Sequence, residues 1–124
     1  MQRVVVMVGT KKGAFLVEST PDRQQWEVRG PFCNAWPMYH VNYDPATRSI
    51  FAGSGSPWFG ASVWRTSDQG ETWTQSSEGL TYGDDGPKLE RIWNITPAHG
   101  ALYVGVEPAG LFRSDDGGQT FTHV

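Results

Sequence analysis

One nine-residue phrase occurs twice in this chain, and the distance between the copies limits what the chain can fold into. Arg65-Thr66-Ser67-Asp68-Gln69-Gly70-Glu71-Thr72-Trp73 and Arg113-Ser114-Asp115-Asp116-Gly117-Gly118-Gln119-Thr120-Phe121 share the pattern Arg, Ser/Thr, x, Asp, x, Gly, x, Thr, aromatic. Residues 65 and 113, 68 and 116, and 73 and 121 are each 48 apart. Self-similarity at such a period marks a chain built from one supersecondary unit repeated side by side. In each copy Asp and Ser/Thr can bond nearby backbone amides, and Gly supplies a left-handed turn at no steric cost. The Thr and the Trp or Phe then restart a strand. Thr66, Asp68, Gly70, Thr72 and Trp73, with Ser114, Asp116, Gly118, Thr120 and Phe121, are therefore read as structural residues of two hairpin turns. In this reading Asp68 and Asp116 hold each turn from inside, and Trp73 and Phe121 anchor the outgoing strand in the core. A calcium loop of the EF-hand kind needs further acidic ligands at fixed spacing and a closing Glu. Neither copy has them. No metal and no cofactor is expected.

The rest of the chain reads as short strands between Gly, Pro and Asx turns. Val4-Val5-Val6-Met7-Val8 is a continuous apolar run, expected to be a strand buried on both faces. Further strands are expected at 14–18, 26–29, 39–43, 49–53, 62–65, 73–76, 91–95, 101–106, 111–113 and 121–124, with loops at 30–37 and 55–60. Thr20-Pro21-Asp22-Arg23-Gln24-Gln25-Trp26 reads as a decayed copy of the phrase. Asn42 and Asn94, Pro45 and Pro97, and Gly53 and Gly105 are each 52 apart, which sets His40 opposite Ile92. The fall from 52 to 48 puts a four-residue excess in the loop after Gly53, where Pro57-Trp58-Phe59 lies. A polar, Gly-rich connection spans 77–89. The expected organisation is one domain, 1–124, of three units at 1–31, 36–77 and 89–124. The first has three recognisable strands and the others four antiparallel ones.

The repeated phrase resembles the Asp-box, or BNR repeat, of the sialidase-like β-propellers. The early Gly-Thr-Lys-Lys-Gly and the late Gly-Val-Glu-Pro-Ala-Gly-Leu-Phe-Arg-Ser-Asp-Asp-Gly-Gly are similar to a bacterial group of these propellers labelled sialidase-like or glycosyl-hydrolase-like. The resemblance implies an all-β fold of three consecutive four-stranded propeller blades, the first incomplete, with a box between strands three and four. It also implies that ligands bind on the face opposite the boxes.

On that face the sequence offers Lys11, Lys12, Tyr82, Asp84, Asp85 and Lys88, and above all Trp36, His40, Trp58, Phe59 and Arg91 as ligand-binding candidates. Glu107 is the candidate catalytic residue. Each has a plainer alternative. Trp58 and Phe59 either stack on a sugar ring or cover a neighbouring blade. Glu107 either acts as acid or base or pairs with a Lys or Arg. His40 is either a base or a packed side chain. Arg65 and Arg113 repeat with the boxes and are read as structural.

A sialidase, as the resemblance implies, needs several arginines around a carboxylate, a Tyr nucleophile with a Glu, and an Asp acid. The Phe/Tyr-Arg-Ile-Pro motif is absent. A glycosidase of the usual kind needs two carboxylates ~5–9 Å apart, and only Asp84 or Asp85 is available to Glu107. The expected function is recognition of a glycan or small polar ligand, not catalytic by itself. The alternative is a non-enzymatic protein-binding scaffold, since the boxes also resemble those of photosystem assembly factors and sorting-receptor ectodomains.

Bulk properties narrow the partners. A net charge of −3 and the lack of a basic run argue against nucleic acid and anionic membrane. Cys33 is alone, so no intrachain disulfide can form, and the first apolar run is too short for a signal peptide or a span. A cytoplasmic location is the expectation. Propellers close with ~4–8 blades, and three leave two open flanks. The expected assembly is a homodimer closing a six-bladed ring, or else a piece of a longer propeller.

Overall fold

The computed structural model describes residues 3–124; Met1 and Gln2, which the sequence assigns to the first unit, lie outside the described residues. The chain is all-β. Curled antiparallel sheets make a half-barrel, with no α-helix among the described residues. The first unit is β1 (Val4–Thr10), β2 (Gly13–Ser19) and β3 (Trp26–Phe32), paired in that order. A turn at Cys33–Ala35, with φ of 62°, 55° and 58°, leads into the second unit. There β4 (Met38–Asp44), β5 (Ser49–Ser56), β6 (Gly60–Thr66) and β7 (Thr74–Ser76) each pair antiparallel with the next. The third unit repeats this with β8 (Arg91–Ala98), β9 (Ala101–Glu107), β10 (Gly110–Ser114) and β11 (Thr122–His123). A single pair, Gly55 with Arg91, joins β5 to β8.

The core lies on both sides of the second unit. Successive side chains of a strand point to opposite faces. Ala52 and Trp64 therefore pack back onto Ala14, Cys33 and Met38. Phe51 and Val63 pack forward onto Ile92, Ile95, Val104 and Phe112. Gly53 lets the third unit approach: a Cβ there would lie 2.6 Å from Ile92 Cγ2, well inside van der Waals contact. Arg65 ties the same junction, its Nη1 donating to the carbonyl of Gly117 in the next box at 3.2 Å.

The structure corrects several expectations. β1 is not buried on both faces; Val5 and Val6 are 42% and 44% exposed. It pairs only with β2 among the described strands. Residues 30–32 continue β3 rather than forming loop, and Pro31 fits there because an edge strand has no neighbour to miss its N–H.

The alignment of the first strands also shifts. Val41 pairs with Ala52 and Ile95 with Val104, so β4 and β8 are related by 54 residues, not 52. Met38 is the counterpart of Ile92, Tyr39 of Trp93, and His40 of Asn94. Both strands are irregular at the same point, between Met38 and His40 and between Ile92 and Asn94. Four residues, 45–48, close the β4–β5 hairpin, whereas His99 and Gly100 close β8–β9. Residues in a turn are unpaired, so two extra ones move the alignment without disturbing the sheet.

Nor is the excess after Gly53 a loop. Three residues separate the last pair in both hairpins, Ser56 with Gly60 and Val106 with Gly110. The four additional residues form two further rungs of β5 and β6, which carry Pro57-Trp58-Phe59 outward.

Candidate functional site

The boxes close one end of each meander, and their polar groups satisfy one another. Thr66 Oγ1 accepts from the Gly70 amide at 2.9 Å and donates to Asp68 Oδ1 at 2.7 Å. Asp68 in turn accepts from the Thr72 amide at 2.9 Å and the Thr72 hydroxyl at 2.5 Å. Ser114, Gly118, Asp116 and Thr120 repeat the set at 2.9, 2.8, 2.9 and 2.5 Å.

The buried member is the hydroxyl residue, not the acid: Thr66 and Ser114 are 2% and 1% exposed, whereas Asp68 and Asp116 are exposed. This reverses the expectation that Asp holds the turn from inside. A hydroxyl is satisfied by one donor and one acceptor, so it can be buried. A carboxylate has more acceptor sites than the turn has donors, so it stays hydrated. The bonds from the Thr72 hydroxyl and amide hold the Asp68 carboxyl down to about 2. Those from Thr120 and Ser114 push Asp116 lower still. Phe121 is buried. Trp73 is half-buried, stacked at a tilt on Phe32 with ring centroids 5.7 Å apart. Gly70 and Gly118 sit at φ 91° and 87°, and a Cβ would meet Leu16 and Phe51 respectively at 3.1 Å. Each box is therefore pressed against the preceding unit.

The opposite end gathers the β5–β6 and β9–β10 turns and the start of β8. Trp58, Phe59, Glu107 and Arg91 are all at this end. Arg91 Nε lies 3.3 Å from Glu107 Oε2, a buried oxygen that takes no aligned hydrogen bond. The Arg91 guanidinium also sits 5.4 Å from the Tyr39 ring centroid and 5.5 Å from that of Trp93. These rings meet edge to face. A cleft of about 400 Å³ opens beside them, lined by Tyr39, Gly55, Ser56, Lys88, Glu90 and Arg91. Lys88 Nζ donates to the Pro57 carbonyl at 3.0 Å, which fixes the connection against the β5–β6 turn.

The candidates fall into separate groups. Arg91 and Glu107 form the pair just described. Trp36 meets Trp64 edge-on and packs on the core between the first two units, while Phe59, 72% exposed, stacks on Trp36 from outside at 5.2 Å. Trp58 is 84% exposed. His40 pairs with Gly53 and has a buried Nε2 without a hydrogen-bond partner. Tyr82 packs on Phe112 and His123, and Lys11, Lys12, Asp84 and Asp85 are exposed turn residues. Sequence reasoning missed Tyr39 and Trp93. The signal was an apolar residue followed by an aromatic one at the start of both strands, Met38-Tyr39 and Ile92-Trp93, which the 52-residue alignment concealed. No group of three or more metal-ligating side chains forms among the described residues, and no described helix is long and apolar enough to cross a membrane. No protein-family model matches the chain, nor does any curated protein.

Proposed function

We propose that the chain is a three-unit stretch of an Asp-box β-propeller. In this reading each meander is a blade, and the end opposite the boxes recognises a glycan or small polar ligand. The observation that carries the reading is Arg91, a cation lying over the perpendicular rings of Tyr39 and Trp93 and lining a cleft with Lys88 and Ser56. Flat rings and a fixed guanidinium suit a sugar ring bearing hydroxyls or a carboxylate. Trp58, almost wholly in solvent on the neighbouring turn, offers a further stacking surface. Glu107 is engaged by Arg91, which supports binding over acid–base catalysis.

An array of neutral and acidic glycans, followed by titration of any hit, tests this. Arg91→Ala should weaken binding about tenfold or more, the scale of a lost charged hydrogen bond. Trp58→Ala should weaken it while changing stability by less than about 0.5 kcal/mol, since it removes no core contact. Retention of no glycan, or full binding by both variants, would defeat the proposal.

The protein-binding alternative draws on the flanks. Trp26 and Val28 on the first unit, and Trp93 and Leu111 on the third, are 49%, 66%, 49% and 42% exposed. Such residues suit closure against further units or a partner.

A further inference from the structure

A second cleft, of about 530 Å³, lies between the two boxes, at the end away from Arg91. Arg65, Thr72, Glu78 and Thr120 line it, and no aromatic ring does. Arg29, Arg65 and Arg91 are the half-buried arginines among the described residues. Arg29 is paired with Glu18 and Glu71, and Arg91 with Glu107. Arg65 makes no ion pair among the described residues. Its Nε donates to Ser49 Oγ at 3.1 Å and its Nη1 to the Gly117 carbonyl at 3.2 Å, both neutral acceptors. A guanidinium carries five N–H groups, so the remaining three have no acceptor in the described chain. A half-buried cation without a counter-charge is costly until an anion joins it. The group is also held ready, because those two bonds and the Phe51 ring, 5.7 Å away, fix it.

The cleft is nevertheless not suited to a plain anion. Glu78 lines it without pairing to Arg65. Thr72 and Thr120 commit their hydroxyl protons to Asp68 and Asp116, so they offer the cleft lone pairs only. A simple anion meets Arg65 but is repelled by Glu78, Asp68 and Asp116. A simple cation meets Glu78 but is repelled by Arg65. One cleft thus carries two opposite charges that do not neutralise each other.

We propose that this cleft binds a small zwitterion, an α-amino acid. Its carboxylate takes the unused N–H groups of Arg65, which match a carboxylate two bonds at a time. Its ammonium donates to Glu78 and to the hydroxyl oxygens of Thr72 and Thr120. The site is separate from the Arg91 end and does not depend on glycan recognition there.

Titration of the intact chain with glycine, followed in proton–nitrogen correlation spectra, tests this. Glycine should produce saturable shifts at Arg65 Nε and at the Gly117 amide. Acetate and methylammonium, each carrying one half of the zwitterion, should bind about tenfold more weakly or worse, the scale of a lost charged hydrogen bond. Arg65 also ties two units together, so Glu78→Gln, at an exposed position, is the variant of choice. It should weaken glycine about tenfold and leave acetate no weaker. Arg91→Ala should bind glycine like the parent. Acetate binding as tightly as glycine would reveal an anion site only and overturn the proposal. Full glycine affinity in Glu78→Gln, loss of it in Arg91→Ala, or no saturable shift around this cleft would overturn it equally.

Discussion

β5 is buried at all eight positions, although five residues of its sequence Ser-Ile-Phe-Ala-Gly-Ser-Gly-Ser are serine or glycine. β1, at the same place in the first unit, is almost entirely apolar, and Val5 and Val6 stand more than two-fifths exposed. A strand's own hydrophobicity therefore does not decide its burial in a repeat; what lies on its faces and edges does. The serines of β5 tolerate enclosure because each finds a partner. Ser54 Oγ donates to the Ser62 carbonyl and accepts from Trp64 Nε1, and Ser49 Oγ accepts from Arg65 Nε. Ser56 Oγ accepts from the amides of Trp58 and Phe59. The third unit shows the same contrast at its open face. Arg65 reaches the next box, whereas Arg113, its repeat counterpart, turns back on Asp115 at 2.8 Å and on the ring of Tyr103.

The largest test of this contrast compares Phe51 with Met7, each two residues before its glycine. Phe51→Ala empties the junction of the second and third units and should cost about 3–5 kcal/mol. Met7→Ala, at a partly buried position lining a groove with Val5, Tyr43 and Ile50, should cost less than about 1.5 kcal/mol. Chemical denaturation of both variants measures the difference. Equal losses would mean that β1 is covered in solution.

The glycines give a graded series. Gly53→Val should destabilise by about 1–3 kcal/mol through overpacking on Ile92, a fall in Tm of about 4–12 °C. Gly9→Val should fall between that and Gly105→Val, whose nearest atom to an added Cβ is 3.8 Å away. For Gly105→Val a Tm within about 2 °C of the parent is expected, surface substitutions being nearly neutral. A large loss at Gly105 would reveal that another sheet already occupies the third unit's outer face.

The boxes extend the comparison to an intact copy and the decayed one. Ser114→Ala leaves the buried Gly118 amide without its acceptor and should cost about 1–3 kcal/mol. Thr20→Ala, in a turn where Thr20 donates to Asp22 and the Gln24 amide to Asp22 Oδ1 at 3.1 Å, should cost less because the site is exposed. The acid limb of stability gives a second reading. The Asp68 and Asp116 carboxyls are held below their unfolded value of 3.8. Their stabilisation is present above that value and is lost as pH falls from about 4 towards 2 and below. Thermal melts across this range should show a shallower acid decline for Asp68→Asn with Asp116→Asn. An unchanged decline would show that the carboxylates do not support the turns.

Much of the strand pattern was legible because turn chemistry and alternation are local. The boxes were plain from Ser/Thr, Asp and Gly at fixed offsets. The inversion of hydroxyl and acid within them was not, since both residue types suit a turn and only the packing against Leu16 and Phe51 shows which faces inward. The 52-residue match of Asn42 with Asn94 was a chance identity. Pairing, not letter matching, fixes which residues face each other across a sheet.

The sequence by itself determined the repeat, the antiparallel hairpins and the two self-satisfied boxes, because each depends on contacts a few residues apart. It also set Arg91, Glu107 and Trp58 at the end opposite the boxes, without what surrounds them there. Only the tertiary structure decided that Tyr39 and Trp93 flank Arg91, that the excess residues lengthen a ladder, and that apolar β1 stands open while serine-rich β5 is enclosed. Those outcomes depend on which unit packs on which, and burial belongs to the contact between units rather than to either strand alone.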